Sequence, residues 1–117
     1  MVKKKGLPGT RVRGSDTGRP LNAALDLLGR RQTLRILWEL KDGAMTFREL
    51  QSRCDDPSPT LLNKRLAELR EALIVEHVHG EGYQLTDQGL ALNKSLVPLY
   101  KWAINWGQLF GVENRES

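Results

Sequence analysis

Cysteine occurs once in this 117-residue chain, at Cys54. A single thiol closes no intramolecular disulfide and builds no cysteine cage for a metal, which suits a reducing cytosol. No apolar run approaches the length of a bilayer span, and no signal-peptide pattern opens the chain, so a cytoplasmic protein is expected. The sequence also lacks a nucleophile–base constellation, a phosphate-binding loop, a metal-ligand cluster and a paired-carboxylate signature. An enzyme is therefore not expected, and nothing in the pattern asks for a cofactor. There is no internal repeat. One domain is expected at this length, long enough to bury a core without staples.

Positive charge is present but uneven. Of the formal +4, residues 1–19 carry six cations against Asp16, a net +5, while the remainder carries twelve cations against thirteen acids, a net −1. The basic balance belongs to the first stretch, so any anion-binding surface on the rest must be local. Residues 1–19 hold glycines and Lys3, Lys4 and Lys5 with no hydrophobic periodicity, and are read as a disordered basic arm. Such an arm either reaches phosphates or simply keeps the chain soluble.

Residues 20–112 read as one helical domain with a small hairpin, followed by a frayed end over 113–117. A first helix starts at Pro20 with Leu21, Ala24, Leu25 and Leu28 on one face, ending near Gly29. A second spans about 31–41, with Gly43 after it. Thr46 and Glu49 spell a capping box, stapled by Met45 and Leu50, and start a short third helix to about Arg53. Residues 74–79 alternate weakly as a strand, a Gly-Glu-Gly turn follows, and Tyr83 to Leu85 returns. Thr86 then caps a last helix, with Leu85 and Leu90 as its staple. Pro98 is expected to kink that helix or split it near Ser95.

The stretch between the short helix and the hairpin, DDPSPTLLNKRLAELREAL over 55–73, organises the rest. Ser58 is a good N-cap and Pro59 suits the first helical position. Leu62, Leu66, Leu69 and Leu73 recur at helical spacing as a buried stripe, which puts Thr60, Lys64 and Ala67 outward with Asn63 at the edge. Short side chains bearing donors and acceptors are what a helix needs to approach base edges in a major groove. The alternative is an ordinary amphipathic helix with a solvated face. A short helix, a brief turn and a longer helix with a polar outer face is the helix-turn-helix order, and the hairpin stands where a wing would.

The order of motifs resembles the HxlR family of bacterial winged helix-turn-helix regulators. The matching stretches are ALDLLG at 24–29, ILWEL at 36–40 and the run from Asp42 to Leu50. LLNKRLAELREALIVE within 58–76, YQLTDQG at 83–89 and KWAINWG at 101–107 complete the set. The resemblance implies an α+β, mostly helical fold whose terminal helices form a homodimer interface. It further implies a repressor addressing a pseudo-palindromic double-stranded operator in the bacterial cytoplasm, on the nucleoid when DNA-bound. Two departures stand out. Family members often carry a cysteine before the proline that starts the first helix, and here Arg19 precedes Pro20, so thiol switching is not carried over. The wing offers His77, His79 and Glu81 but no Arg or Lys at its tip.

The expected DNA contacts are Ser58, Thr60, Asn63, Lys64, Arg65 and Arg48, supplemented by Lys3, Lys4 and Lys5. Arg65 lies beside the buried stripe, so bracing the fold through a carboxylate is its second reading. Arg30 and Arg31 are weaker candidates for the DNA backbone. The expected dimer interface is Leu21 and Leu25 with Leu99, Trp102, Ala103, Trp106 and Phe110, since a stripe that large needs cover. A pocket for a small-molecule effector is the other reading of those aromatics. Cys54 is read as core filling, and His77 and His79 as exposed wing residues and not a metal pair. A winged-helix module that binds protein and not DNA is the competing functional class.

Overall fold

The computed structural model describes residues 19–113. Residues 1–18 of the basic arm, with Lys3, Lys4 and Lys5, and the last four residues lie outside them. Helix α1 covers Pro20–Leu28, α2 Thr33–Glu39, α3 Phe47–Arg53, α4 Pro59–Glu71 and α5 Asp87–Gln108. Strands β1, Val75–Val78, and β2, Gly82–Leu85, pair antiparallel between α4 and α5, with His77 opposite Tyr83. This is a winged helix, as expected.

Local chemistry sets most boundaries. The capping box at α3 is complete. Thr46 Oγ1 accepts from the Glu49 amide at 3.2 Å, and the Glu49 carboxylate accepts from the Thr46 amide at 3.1 Å. Those bonds to Thr46 hold the Glu49 carboxyl below its ordinary range. Ser58 Oγ accepts from the Leu61 amide at 3.1 Å, and Pro59 opens α4. Thr86 caps α5 through the Gly89 amide and donates its hydroxyl to the Leu73 carbonyl at 2.6 Å, joining the end of α4 to the start of α5.

The core is built from Leu27 of α1, Ile36 and Leu37 of α2, Leu50 of α3 and the Leu62, Leu66, Leu69 stripe of α4, closed by Val75, Leu85 and Leu96. Leu73 is not part of that stripe and is 68% exposed. Helix α4 ends two residues earlier, at Glu71, in a Schellman motif. The Ile74 amide reaches the Leu69 carbonyl, the Leu73 amide reaches that of Arg70, and Leu73 takes the left-handed position at φ +64°. On α1 the core takes Ala23 and Leu27, leaving Leu21 and Leu25 outside. Helix α2 is shorter than its sequence suggests and tightens into a 3-10 turn over Leu40–Asp42. Leu90, the other half of the expected staple at α5, is about half exposed.

Pro98 sits inside α5 without splitting it. It can give no amide to the carbonyl of Lys94, and both residues lie on the exposed side of the helix, where losing one ladder bond costs least. The helix is fixed to the core by Asn93. Its amide donates to the Leu37 carbonyl at 3.1 Å, and its carbonyl accepts from Tyr100 Oη at 3.1 Å.

The wing is anchored to the helix-turn-helix. Met45, just before α3, exchanges two backbone hydrogen bonds with Tyr83 at 2.7 and 2.9 Å. Gly82 permits this approach. A Cβ there would run into the Met45 carbonyl, and its φ of +106° disfavours other residues.

Candidate nucleic-acid interface

The turn between α3 and α4 decides how α4 is presented. Asp55 and Asp56 both have positive φ, +65° and +54°. Asp56 donates its amide to the Gln51 carbonyl at 2.9 Å, so α3 also ends in a Schellman motif, with an aspartate where glycine is usual. Gln51 Nε2 then donates to the Pro57 carbonyl at 3.0 Å. Arg35 holds the turn from the α2 side. It donates to the Arg53 carbonyl at 2.6 Å and to Asp55 at 3.2 Å, and it pairs with Glu39 at 2.8 Å.

With the leucine stripe inward, α4 shows Thr60, Asn63, Lys64 and Ala67 to solvent on one exposed surface. Arg48 of α3 is exposed too. Ser58 is exposed, and its hydroxyl oxygen accepts the cap bond from the Leu61 amide while its O–H still has a proton to give. Arg65 does not join this surface. It turns back, donating Nε to the Arg31 carbonyl at 2.7 Å and Nη1 to Glu68 at 3.1 Å. A guanidinium committed to a backbone oxygen is a brace, so Arg65 leaves the set of free cations. Arg30 is committed likewise, to Asp26 at 2.7 Å and Glu68 at 3.2 Å. Arg31 lends its carbonyl to Arg65.

The Arg35–Glu39 network is not anticipated by any motif, whereas the Arg65–Glu68 contact is the bracing through a carboxylate that stands as the second reading of Arg65. Their local signals were present: Asp26 and Arg30, and Arg35 and Glu39, are four apart, and Arg65 and Glu68 three apart. The long-range partners carry no such mark.

The wing presents acids and imidazoles. Glu76 accepts from Gln84 across the hairpin at 2.8 Å, and the His77 ring lies 4.7 Å from that of Tyr83. His79 lies beyond β1 in the turn. Among the described residues no cluster of His, Cys, Asp or Glu could hold a metal ion, and no helix is long and apolar enough to cross a membrane.

Cys54 is fully buried at the end of α3. Burial pushes its thiol up to about 11, and the neighbouring Glu39 carboxylate adds to the rise. The reactive species is the thiolate, so the folded protein is expected to resist iodoacetamide at pH 8 and to become alkylated once unfolded in urea. Stoichiometric labelling of the native protein within minutes, read by mass spectrometry, overturns this.

At the far end of α5, Leu99, Trp102, Ala103, Trp106 and Phe110 are exposed. Trp102 and Trp106 stack with ring centroids 5.4 Å apart, and Trp106 meets Phe110 edge-on at 5.7 Å.

Known proteins share this arrangement. Over 71% of its length the chain is 34% identical to YvaP of Bacillus subtilis, an uncharacterized HTH-type transcriptional regulator, and covers 82% of it. A possible HxlR family transcriptional factor from Thermoplasma volcanium superposes with a TM-score of 0.69 at 29% identity, covering 76% of this chain and 85% of that one. The quinone-bound YodB of B. subtilis superposes with a TM-score of 0.66 at 34% identity, covering 71% of this chain and 93% of that one. These relatives are regulators of transcription, not enzymes. Residues 27–109 match the family described as HxlR-like helix-turn-helix, which takes in the supporting helix, α4, the wing and α5. The chain belongs to the HxlR-like helix-turn-helix family of transcriptional regulators.

Proposed function

We propose that the chain is a homodimeric repressor that reads a pseudo-palindromic operator by laying α4 in the major groove of double-stranded DNA. The observation that carries this reading is the surface of α4. Thr60, Asn63, Lys64 and Ala67 face outward together on a helix whose cap, turn and flank are all fixed by hydrogen bonds. A rigid helix with short polar side chains pays little to order itself at the groove. Thr60 and Asn63 suit base edges, and Lys64 suits a phosphate or a guanine edge. Arg48 supplies a backbone contact from α3. Arg65 serves by holding α4 and not by touching DNA. The basic arm with Lys3, Lys4 and Lys5 supplements a wing that has no cation at its tip. The aromatic end of α5, with Leu21 and Leu25 of α1, makes the contact between copies, which sets the half-sites about 34–36 Å apart.

A small-molecule effector fits the same reading. YodB was solved with quinone bound, and a largely apolar cavity of about 380 Å³ lies here between α1 and α5. With Arg19 before Pro20 and Cys54 sealed in the core, an effector would be held without a covalent bond to thiol.

The test is binding-site selection with the full chain, followed by fluorescence anisotropy at two salt concentrations. Lys64→Ala is expected to reduce the log–log salt slope by about one. Thr60→Ala or Asn63→Ala is expected to relax the preference at a base pair otherwise worth about 1–3 kcal/mol. Failure of the unaltered chain to bind DNA at low salt moves the assignment to a protein-binding winged helix.

A further inference from the structure

Glu68 stands on α4 one helical turn after Lys64, on the side that leads from the outward face to the flank. Its carboxylate is shared by two arginines from different parts of the chain. One oxygen accepts from Arg65 Nη1 at 3.1 Å, and the other lies 3.2 Å from Arg30 Nη1. Arg30 also pairs with Asp26 of α1 at 2.7 Å, and Arg65 Nε donates to the Arg31 carbonyl at 2.7 Å. The four side chains are only 12–22% exposed. Two carboxylates and two guanidinium groups cancel in formal charge. The linker between α1 and α2, which passes through Gln32 at φ +74°, is thereby tied to the flank of α4 at two points.

This geometry has an electrostatic consequence for the reading surface. Lys64 has no ion-pair partner among the described residues. A Glu68 free of its arginines would be an i,i+4 neighbour able to neutralise Lys64, and its own charge would repel phosphate. The two guanidinium groups draw the carboxylate back and fix the helix about its axis. We propose that Arg30, Glu68 and Arg65 form a clamp that sets the rotation of α4 and withholds the Glu68 carboxylate from DNA, making Arg30 and Glu68 positioning residues for operator reading. The inference rests on the DNA-binding reading above. It assigns work to residues that touch no base, and it explains why an acid is tolerated in the middle of a helix that approaches a polyanion.

A double-mutant cycle on the full chain tests it, with anisotropy on the selected operator and on random-sequence DNA, and thermal unfolding of each variant. Arg30→Gln leaves Glu68 held by Arg65 alone and is expected to weaken operator binding about tenfold by letting the carboxylate swing towards Lys64. Glu68→Gln placed in that background is expected to restore most of the loss, because the released charge is gone. Arg30→Lys, which keeps the charge, is expected to stay near the unaltered protein. Glu68→Gln alone removes one acid beside the outward face, while Arg30 keeps Asp26 and Arg65 keeps the Arg31 carbonyl. It is expected to tighten binding to random DNA, steepen the salt slope by about one, and so lower the ratio of specific to non-specific affinity. A purely structural brace predicts losses that follow the unfolding midpoint and no restoration by the second substitution. Additive losses, or full operator affinity in Arg30→Gln, overturn the clamp while leaving DNA binding in place. No DNA binding by the unaltered chain overturns the DNA reading and the clamp with it.

Discussion

Arg35→Ala is expected to lower the unfolding free energy by about 2–4 kcal/mol, somewhat less than the about 3–5 kcal/mol that removing one partner of a fully buried ion pair costs. The reason lies in Glu39, whose side chain is 2% exposed on α2. Arg35 Nε sits 2.8 Å from one of its oxygens, whereas Arg53 Nη1 stands 3.9 Å from the other. Without Arg35 the carboxylate stays buried with only that distant partner. The Arg35 side chain is itself 37% exposed, so water relieves part of the penalty and the expected loss falls below the fully buried case. The same substitution removes the donors that hold the Arg53 carbonyl and Asp55, where two non-glycine residues occupy left-handed backbone. The loss of stability and the loosening of α4 are therefore expected together. Urea unfolding at constant m-value measures the first, and operator affinity below the transition measures the second. Adding Glu39→Gln is expected to recover part of the stability and none of the turn's rigidity. A loss below about 0.5 kcal/mol would mean that Glu39 is served by water, as at an ordinary surface pair.

What the sequence disclosed and what it hid divide along one physical line. Features written within four or five residues were legible. The capping box at Thr46 and Glu49, the Ser58 and Thr86 caps and the Gly-Glu-Gly turn each depend on near neighbours, and each stands where its residues predict. The outward set Thr60, Asn63, Lys64 followed from the leucine spacing of the same helix. Features that depend on a distant partner were not legible. Arg65 finds the carbonyl of Arg31, 34 residues away, and nothing in the run LLNKRLAELRE says that its guanidinium will be used there. Leucines and alanines lie on more than one side of α1, and which of them face the core, Ala23 and Leu27 but not Leu21 and Leu25, is set by packing against the rest of the chain. Leu73 continued a perfect spacing. Yet the helix had already ended, and a leucine filled the left-handed position that usually announces itself with glycine.

On the proposed homodimer, Trp106→Ala is expected to leave the protomer folded and to yield monomers at micromolar concentration. The indole is 52% exposed in one copy of the chain, with Trp102 at 56% and Phe110 at 72% beside it, so little of the protomer's own core rests on it. The face is nonetheless organised. Trp102 and Trp106 stack at 5.4 Å with planes 10° apart, and Phe110 closes the row edge-on. Preordered aromatics lose little side-chain freedom when a second surface covers them, which is the condition under which single residues dominate an interface. In a two-fold dimer each substitution acts twice, once per copy. At about 2 kcal/mol for each buried tryptophan the association weakens by about 4 kcal/mol, close to a thousandfold in the dimer dissociation constant. Operator affinity follows, because two α4 helices joined in one dimer bind the second half-site at a high effective concentration, and separate monomers do not. Sedimentation equilibrium on the unaltered chain and on Trp106→Ala, with circular dichroism to show the fold intact, separates the outcomes. A dimer that dissociates on substitution and loses operator affinity with it places the interface on this row. An unaltered chain that is monomeric at micromolar concentration removes the homodimer from the proposal. A variant that remains dimeric moves the contact elsewhere, with Leu21 and Leu25 of α1 the next exposed apolar pair to replace.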